Sequence, residues 1–143
     1  MKLIKPKNNK TKIVIAGSAS LQDKITEWKN FWNSKKDCTV IDFPLAIEKR
    51  NFIKVYPEVH KKFFRNILKA DILFIANEDK NGIKGYIGAE VFAELVYGLM
   101  QNLISNQKIK IILAKTPSQK VQSFEEIKLW LKLGWIQILK NKN

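Results

Sequence analysis

The sequence is poor in the residue types that most often carry metal or nucleophilic chemistry. Its one cysteine, Cys38, cannot form an intramolecular disulfide, which points to a reducing, cytosolic setting. Its one histidine, His60, sits among Lys61 and Lys62 with no cysteine nearby, which argues against a Cys–His nucleophile or a zinc site. No apolar run approaches the roughly 20 residues that cross a bilayer. The opening MKLIKPKNNK has no apolar stretch ahead of a small-residue cleavage site, so it is not read as a signal peptide. The expectation is a cytoplasmic protein with no membrane partner. Arginine is scarce too: only Arg50 and Arg65 occur. Direct base readout leans on bidentate arginine. The net charge of +13 therefore reads as lysine spread along the chain with abundant Asn and Ile, and nucleic acid as the main partner is disfavoured. The charge still helps attract a small anionic substrate such as a nucleotide. Neither G-x-G-x-x-G nor a Walker motif is present.

What is present is the pattern of one α/β domain. At 143 residues the chain can bury a core without disulfides or metal. Residues 1–11 form a polar, lysine-rich stretch read as a flexible arm, and 12–143 form the domain. Lys12–Gly17 is a β-branched run stopped by glycine, as in a buried parallel strand. Ile25, Trp28, Phe31 and Trp32 then recur at helical spacing. Cys38–Phe43 is a second strand. Residues 45–56 are read as a loop with one helical turn at most, and Pro57 as the opening of a helix. Ala70–Ala76 is the clearest strand; a glycine-bearing loop and a helix from Gly88 to Leu103, apolar around most of its circumference, follow it. Lys110–Ala114 is a fourth strand, Ser123 caps a short helix, and Trp135–Leu139 is a terminal strand. Alternating strands and helices predict a right-handed, doubly wound parallel sheet of five strands, taken here in the order 2-1-3-4-5.

In such sheets ligands bind beyond the carboxyl ends of the strands, where the strand order switches. That places Gly17–Ser20 beside the loop from Asn77 to Gly88. Gly17 allows close backbone approach, and Ser18 and Ser20 bring hydroxyls to a helix start that favours anions. Ser20 is equally well read as a simple N-cap. In the second loop Asn77, Glu78 and Asp79 leave a buried strand end, and Gly82, Gly85 and Gly88 let the chain bend. Glu90 and Glu94, four apart, share one helix face with Tyr97, Gly98 and Gln101. They are either a solvated stripe or a pair of carboxylates for nucleophilic and acid–base work.

Three segments together resemble the nucleoside 2-deoxyribosyltransferase-like superfamily. They are Lys12–Ser18, Ala70–Asn77, and Gly85-Tyr86-Ile87-Gly88 followed by Glu94-Leu95-x-Tyr97. The similarity runs from about residue 12 to 139 and is nearest to a small bacterial branch related to deoxynucleoside 5′-monophosphate N-glycosidases. The resemblance implies a flavodoxin-like fold and cleavage or transfer at the N-glycosidic bond of a (deoxy)nucleoside or its 5′-monophosphate, with neither metal nor redox cofactor. It places the attacking glutamate at Glu94 and gives the base-handling acid to Asp79, with Glu78 as the alternative. Gly17, Ser18 and Ser20 would face the sugar or 5′-phosphate; Asn77, Gly85, Tyr86, Gly88 and Glu90 complete the substrate site. The first loop lacks the arginine that follows Gly-Ser in several phosphate-binding relatives. The second lacks the paired aspartates of the true transferases. A non-catalytic nucleotide-sensing module and a basic nucleic-acid-associated protein are the rival readings. The greasy third helix, with Trp130 and Trp135, predicts a homodimer or larger homo-oligomer.

Overall fold

A computed structural model describes residues 9–140. Residues 1–8 of the expected arm lie outside the described residues. Thr11, placed in the arm by its polarity, is already the first residue of β1 (Thr11–Ala16). It is drawn into the sheet because its N–H donates to the Asp37 carbonyl at 2.6 Å.

The other strands are β2 (Cys38–Asp42), β3 (Ile72–Ile75), β4 (Lys110–Leu113) and β5 (Gln137–Ile138). The sheet order is β2-β1-β3-β4-β5, and every pairing is parallel. This is the doubly wound arrangement that the strand–helix alternation predicts. Strands buried on both faces need apolar residues at successive positions. β1 supplies Ile13, Val14, Ile15 and Ala16, all fully buried.

The two faces are covered differently. On one, α1 (Gln22–Asn33) lays Ile25, Trp28 and Trp32 against Ile13, Ile15 and Phe74. On the other lie α2 (Phe52–Lys69), α3 (Ala89–Ser105) and α4 (Phe124–Lys132). They pack Phe63, Ile67, Leu95, Leu99 and Ile127 on Val14, Leu73 and Ile111. Each such side chain contributes roughly 1.5–3 kcal/mol when fully buried. The all-round apolarity of α3 is only partly spent on this core: Leu95 and Leu99 are buried, whereas Leu103 and Ile104 near its end are exposed.

Two local expectations are corrected. Residues 45–56 are more helical than their composition suggests. They hold a 3-10 turn (Lys49–Asn51) and the first turn of α2, so Pro57 lies inside that helix and does not start it. Pro57 removes a single hydrogen bond, to the carbonyl of Ile53, on a solvent-facing turn where water can replace it. Stacking of Phe52 on Tyr56 and of Tyr56 on His60 ties the turns on either side of the proline together. At α4, Ser123 occupies the N-cap position but its side chain makes no cap; its Oγ is buried without a partner. No helix among the described residues is long and apolar enough to cross a membrane.

Candidate functional site

The C-terminal ends of β1 and β3 open into a cleft of about 580 Å³, walled by α2 on one side and the start of α3 on the other. This is the position where the strand order switches, between β1 and β3. Gly17, Ser18, Ser20, Tyr86, Gly88, Glu90 and Glu94 from the sequence-derived set all line it. The cleft has two chemically distinct ends.

At the first, Ser18 Oγ lies 2.9 Å from Ser20 Oγ, and Lys80 Nζ donates to Ser18 Oγ at 2.7 Å. Lys80 also stands over the Tyr86 ring, 5.6 Å from its centroid. The N-cap of α1 is Leu21, with no side-chain cap, so neither serine hydroxyl is used for capping. Gly17 is set by packing: a Cβ there would meet Ile25 Cδ1 at 3.0 Å and the Ala76 carbonyl at 3.3 Å. An ammonium, two hydroxyls and a helix start facing one cavity make a fit for a phosphate or carboxylate.

At the second end, α3 brings Glu90 and Glu94 to the cleft. Glu94 is buried, only 7% exposed, and its carboxyl makes no hydrogen bond among the described residues. Burial pushes its pKa up to about 8, and the charges of Glu90 and Asp42 push it the same way. Near neutral pH it therefore rests as the uncharged acid. Asp42, at the end of β2, is held by Asn66 Nδ2 at 2.8 Å and by the N–H of Phe43 at 2.9 Å. Glu90 is more open; the Tyr56 hydroxyl donates to its Oε1 at 3.0 Å, and His60 Nδ1 lies 3.5 Å from the same oxygen. Burial, with help from Glu90 and Glu94, raises the Tyr56 pKa.

Asn77, Asp79 and Gly85 do not line the cleft. They brace the loop that forms its rim. Buried Asn77 donates from Nδ2 to the carbonyls of Lys115 at 2.7 Å and Gly85 at 3.3 Å, and accepts from the Lys115 N–H at 3.2 Å. Asp79 Oδ1 accepts from the Gly85 N–H at 2.9 Å and pairs with Lys115 at 3.4 Å. That backbone donor, with Lys115 and Lys84, holds the Asp79 carboxyl below its usual range. Gly85 has φ +64°, and a Cβ on it would lie 2.8 Å from Pro117 Cα, so both conformation and space demand glycine. The loop acid that does line the cleft is Glu78, although its carboxylate is engaged by two residues of a smaller neighbouring pocket. Its Oε1 accepts from the Trp28 indole N–H at 2.8 Å, and its Oε2 pairs with Lys115 at 3.4 Å.

Sequence reasoning passed over Lys80, Asp42, Tyr56 and His60, all of which line the cleft. Asp42 carried a usable signal, as a polar residue closing an apolar strand beside the switch point. Tyr56 and His60 carried one as well, an i, i+4 pair, but residues 45–56 were read as loop. Lys80 was lost among many lysines. Among the described residues, no group of three or more His, Cys, Asp or Glu is arranged to hold a metal ion. The chain matches no protein-family model, and no curated protein is significantly similar to it in sequence.

Proposed function

We propose that this protein cleaves or transfers at the N-glycosidic bond of a (deoxy)nucleoside 5′-monophosphate or nucleoside, through a covalent ester on Glu94. The observation that carries the reading is the placement of Glu94. It is a buried carboxyl on a mostly apolar helix, and it shares one cleft with a Ser18–Ser20–Lys80 anion site. Breaking a C1′–N bond develops positive charge at C1′, and a carboxylate both stabilises that charge and captures the carbon. The anion site takes the 5′-phosphate, with Lys80 in the part that arginine plays in phosphate-binding relatives. Glu78, which lines the cleft where Asp79 does not, handles the departing base once its carboxylate is released from Trp28 and Lys115. No metal or redox cofactor is called for in this scheme. The partner is thus a small nucleotide. The exposed Leu103, Ile104 and Trp135 support assembly into a homodimer or larger, which light scattering at micromolar concentration tests.

Glu94 must lose its proton before it can attack, and its raised pKa makes that step the gate on the reaction. The same observation favours a second reading, in which the cleft binds nucleotides without catalysis. Release of free base from a panel of nucleosides and 5′-monophosphates, followed by chromatography, separates the two. Release abolished by Glu94→Gln supports the enzyme. Ligand-induced thermal stabilisation without release supports the sensor.

A further inference from the structure

We propose that His60, oriented by Glu90, is the general base that activates the water releasing sugar from Glu94. The inference rests on the glycosidic reading above and adds to it the acceptor step and the residue that performs it. Three observations support it. First, His60 lines the same cleft as Glu94, although it comes from a different element, α2. Second, its imidazole is held on both sides by rings. Tyr56 stacks at 4.9 Å and 25°, and Phe64 lies at 4.6 Å and 57°; Phe64 is itself braced edge-on by Tyr97 at 4.9 Å. With its faces occupied, the ring presents only its edge nitrogens to polar partners. Third, a carboxylate stands beside one of those nitrogens. Nδ1 lies 3.5 Å from Glu90 Oε1, and the Tyr56 hydroxyl fixes that oxygen at 3.0 Å. At 3.5 Å the pair is at the outer limit of hydrogen-bond distance; once it closes, a neutral imidazole that gives its Nδ1–H to Glu90 carries its lone pair on Nε2, the form a general base needs. The carboxylate also stabilises the imidazolium that forms, the division of labour seen wherever an acid orients a catalytic histidine.

The steps balance. In the first, a Glu94 carboxylate oxygen forms a bond to C1′ while the C1′–N bond breaks and its electron pair leaves with the base, which takes up a proton from solvent. In the second, His60 Nε2 takes a proton from water as the water oxygen bonds to C1′. The C1′–O bond to Glu94 breaks, its pair returns to the carboxylate, and the imidazolium later loses its proton to solvent. The other charged or titratable groups lining the cleft are Glu90 and Glu94 on α3, Asp42 on β2, Lys62 and Tyr56 on α2, and Glu78, Lys80 and Tyr86 in the loop after β3. Glu90 is therefore a positioning residue in this scheme, and His60 a catalytic one.

The test has two arms. Because the chain has a single histidine, long-range ¹⁵N–¹H correlation of the intact protein reports one imidazole without assignment. At neutral pH the expected tautomer is Nδ1–H, reverting to Nε2–H in Glu90→Leu; an Nε2–H wild type overturns the orientation. The second arm uses His60→Phe, which keeps the ring stack and removes the base. First-turnover base release should match wild type, steady-state hydrolysis should fall about 100-fold, and intact-mass spectra of quenched samples should show sugar accumulating on Glu94. Should His60→Phe fail to fold by circular dichroism, His60→Gln takes its place with the same expectations. Steady-state turnover equal to wild type overturns the role of His60 and leaves the glycosidic reading standing. A wild type that releases no base from any nucleoside or 5′-monophosphate overturns both, whatever the tautomer.

Discussion

Asp79 and Glu94 lie on one segment of chain, one in the loop after β3 and one on the helix that follows, and their surroundings drive them in opposite directions. Asp79 is exposed, accepts a backbone N–H and sits by Lys115, so its charge is stabilised and its pKa lowered. Glu94 is buried, receives no hydrogen bond among the described residues and faces two other carboxylates, so its charge is opposed and its pKa raised. A carboxylate that accepts a backbone N–H of its own loop is engaged in holding that loop. One whose negative charge is unmatched stands ready to interact with something that is absent from the folded chain, and developing positive charge at a reacting carbon is such a partner. On the proposed reading the same residue class serves architecture at one site and chemistry at the other, and burial together with donor count separates the two.

The sharpest way to break this comparison is to neutralise each acid in turn. Glu94→Gln keeps volume and polarity but cannot form a glycosyl ester. Base release should fall 10³-fold or more, roughly 4 kcal/mol of barrier. Asp79→Asn should stay within about tenfold of wild type, because it acts on the rim only. Glu90→Gln, which leaves the nucleophile intact, should fall between them. Chromatographic base release, with circular dichroism to confirm folding, checks all three.

The stability of the two variants against pH should also diverge in sign. The folded pKa of Glu94, about 8, lies above its ordinary 4.5. Its contribution is therefore fully present below about pH 4.5 and is lost as pH rises to about 8. Over that window wild type should lose on the order of 4 kcal/mol relative to Glu94→Gln, after which the gap stays constant. The folded pKa of Asp79 lies below its ordinary 3.8, so its contribution is present above that value and lost as pH falls through the lowered one. Urea midpoints of wild type, Glu94→Gln and Asp79→Asn across pH 3 to 9 read both trends. A Glu94→Gln gap that does not vary with pH removes the buried-acid account.

The smallest expected effect lies at the other end of the cleft. Nucleoside monophosphates should bind tenfold or more tightly than the matching nucleosides, since one charge-assisted hydrogen bond contributes about 1.5–3 kcal/mol. Lys80→Gln should bring the two affinities close together. Calorimetry that finds them equal in wild type would remove the phosphate from the site.

The fold was legible because buried parallel strands announce themselves in runs such as Ile13–Ala16 and Ile72–Ile75, and strand–helix alternation leaves few topologies. The glycine-rich rim and the pair Glu90–Glu94 were legible from their position after β3. Two things were not. The start of α2 was hidden because Pro57 and the scattered apolar residues before it obscure a helix that aromatic stacking sustains. The division of labour among the acids was hidden because spacing does not reveal donors: the Gly85 N–H that captures Asp79 becomes its neighbour only when the loop folds back. The resemblance that suggested the chemistry places the nucleophile on a helix, but burial of Glu94 and the approach of Asp42 from β2 emerge only in three dimensions.

The most direct test of the central claim is the pH dependence of kcat/KM for base release, which reports the ionisation of the free enzyme. If Glu94 attacks as a carboxylate and rests as an acid, kcat/KM should climb about tenfold per pH unit from about pH 6 and level off at about 8. Glu94→Gln should show no such limb. A wild-type profile that is flat across that range, or one that falls where Glu94 ionises, contradicts the assignment of Glu94 as the nucleophile.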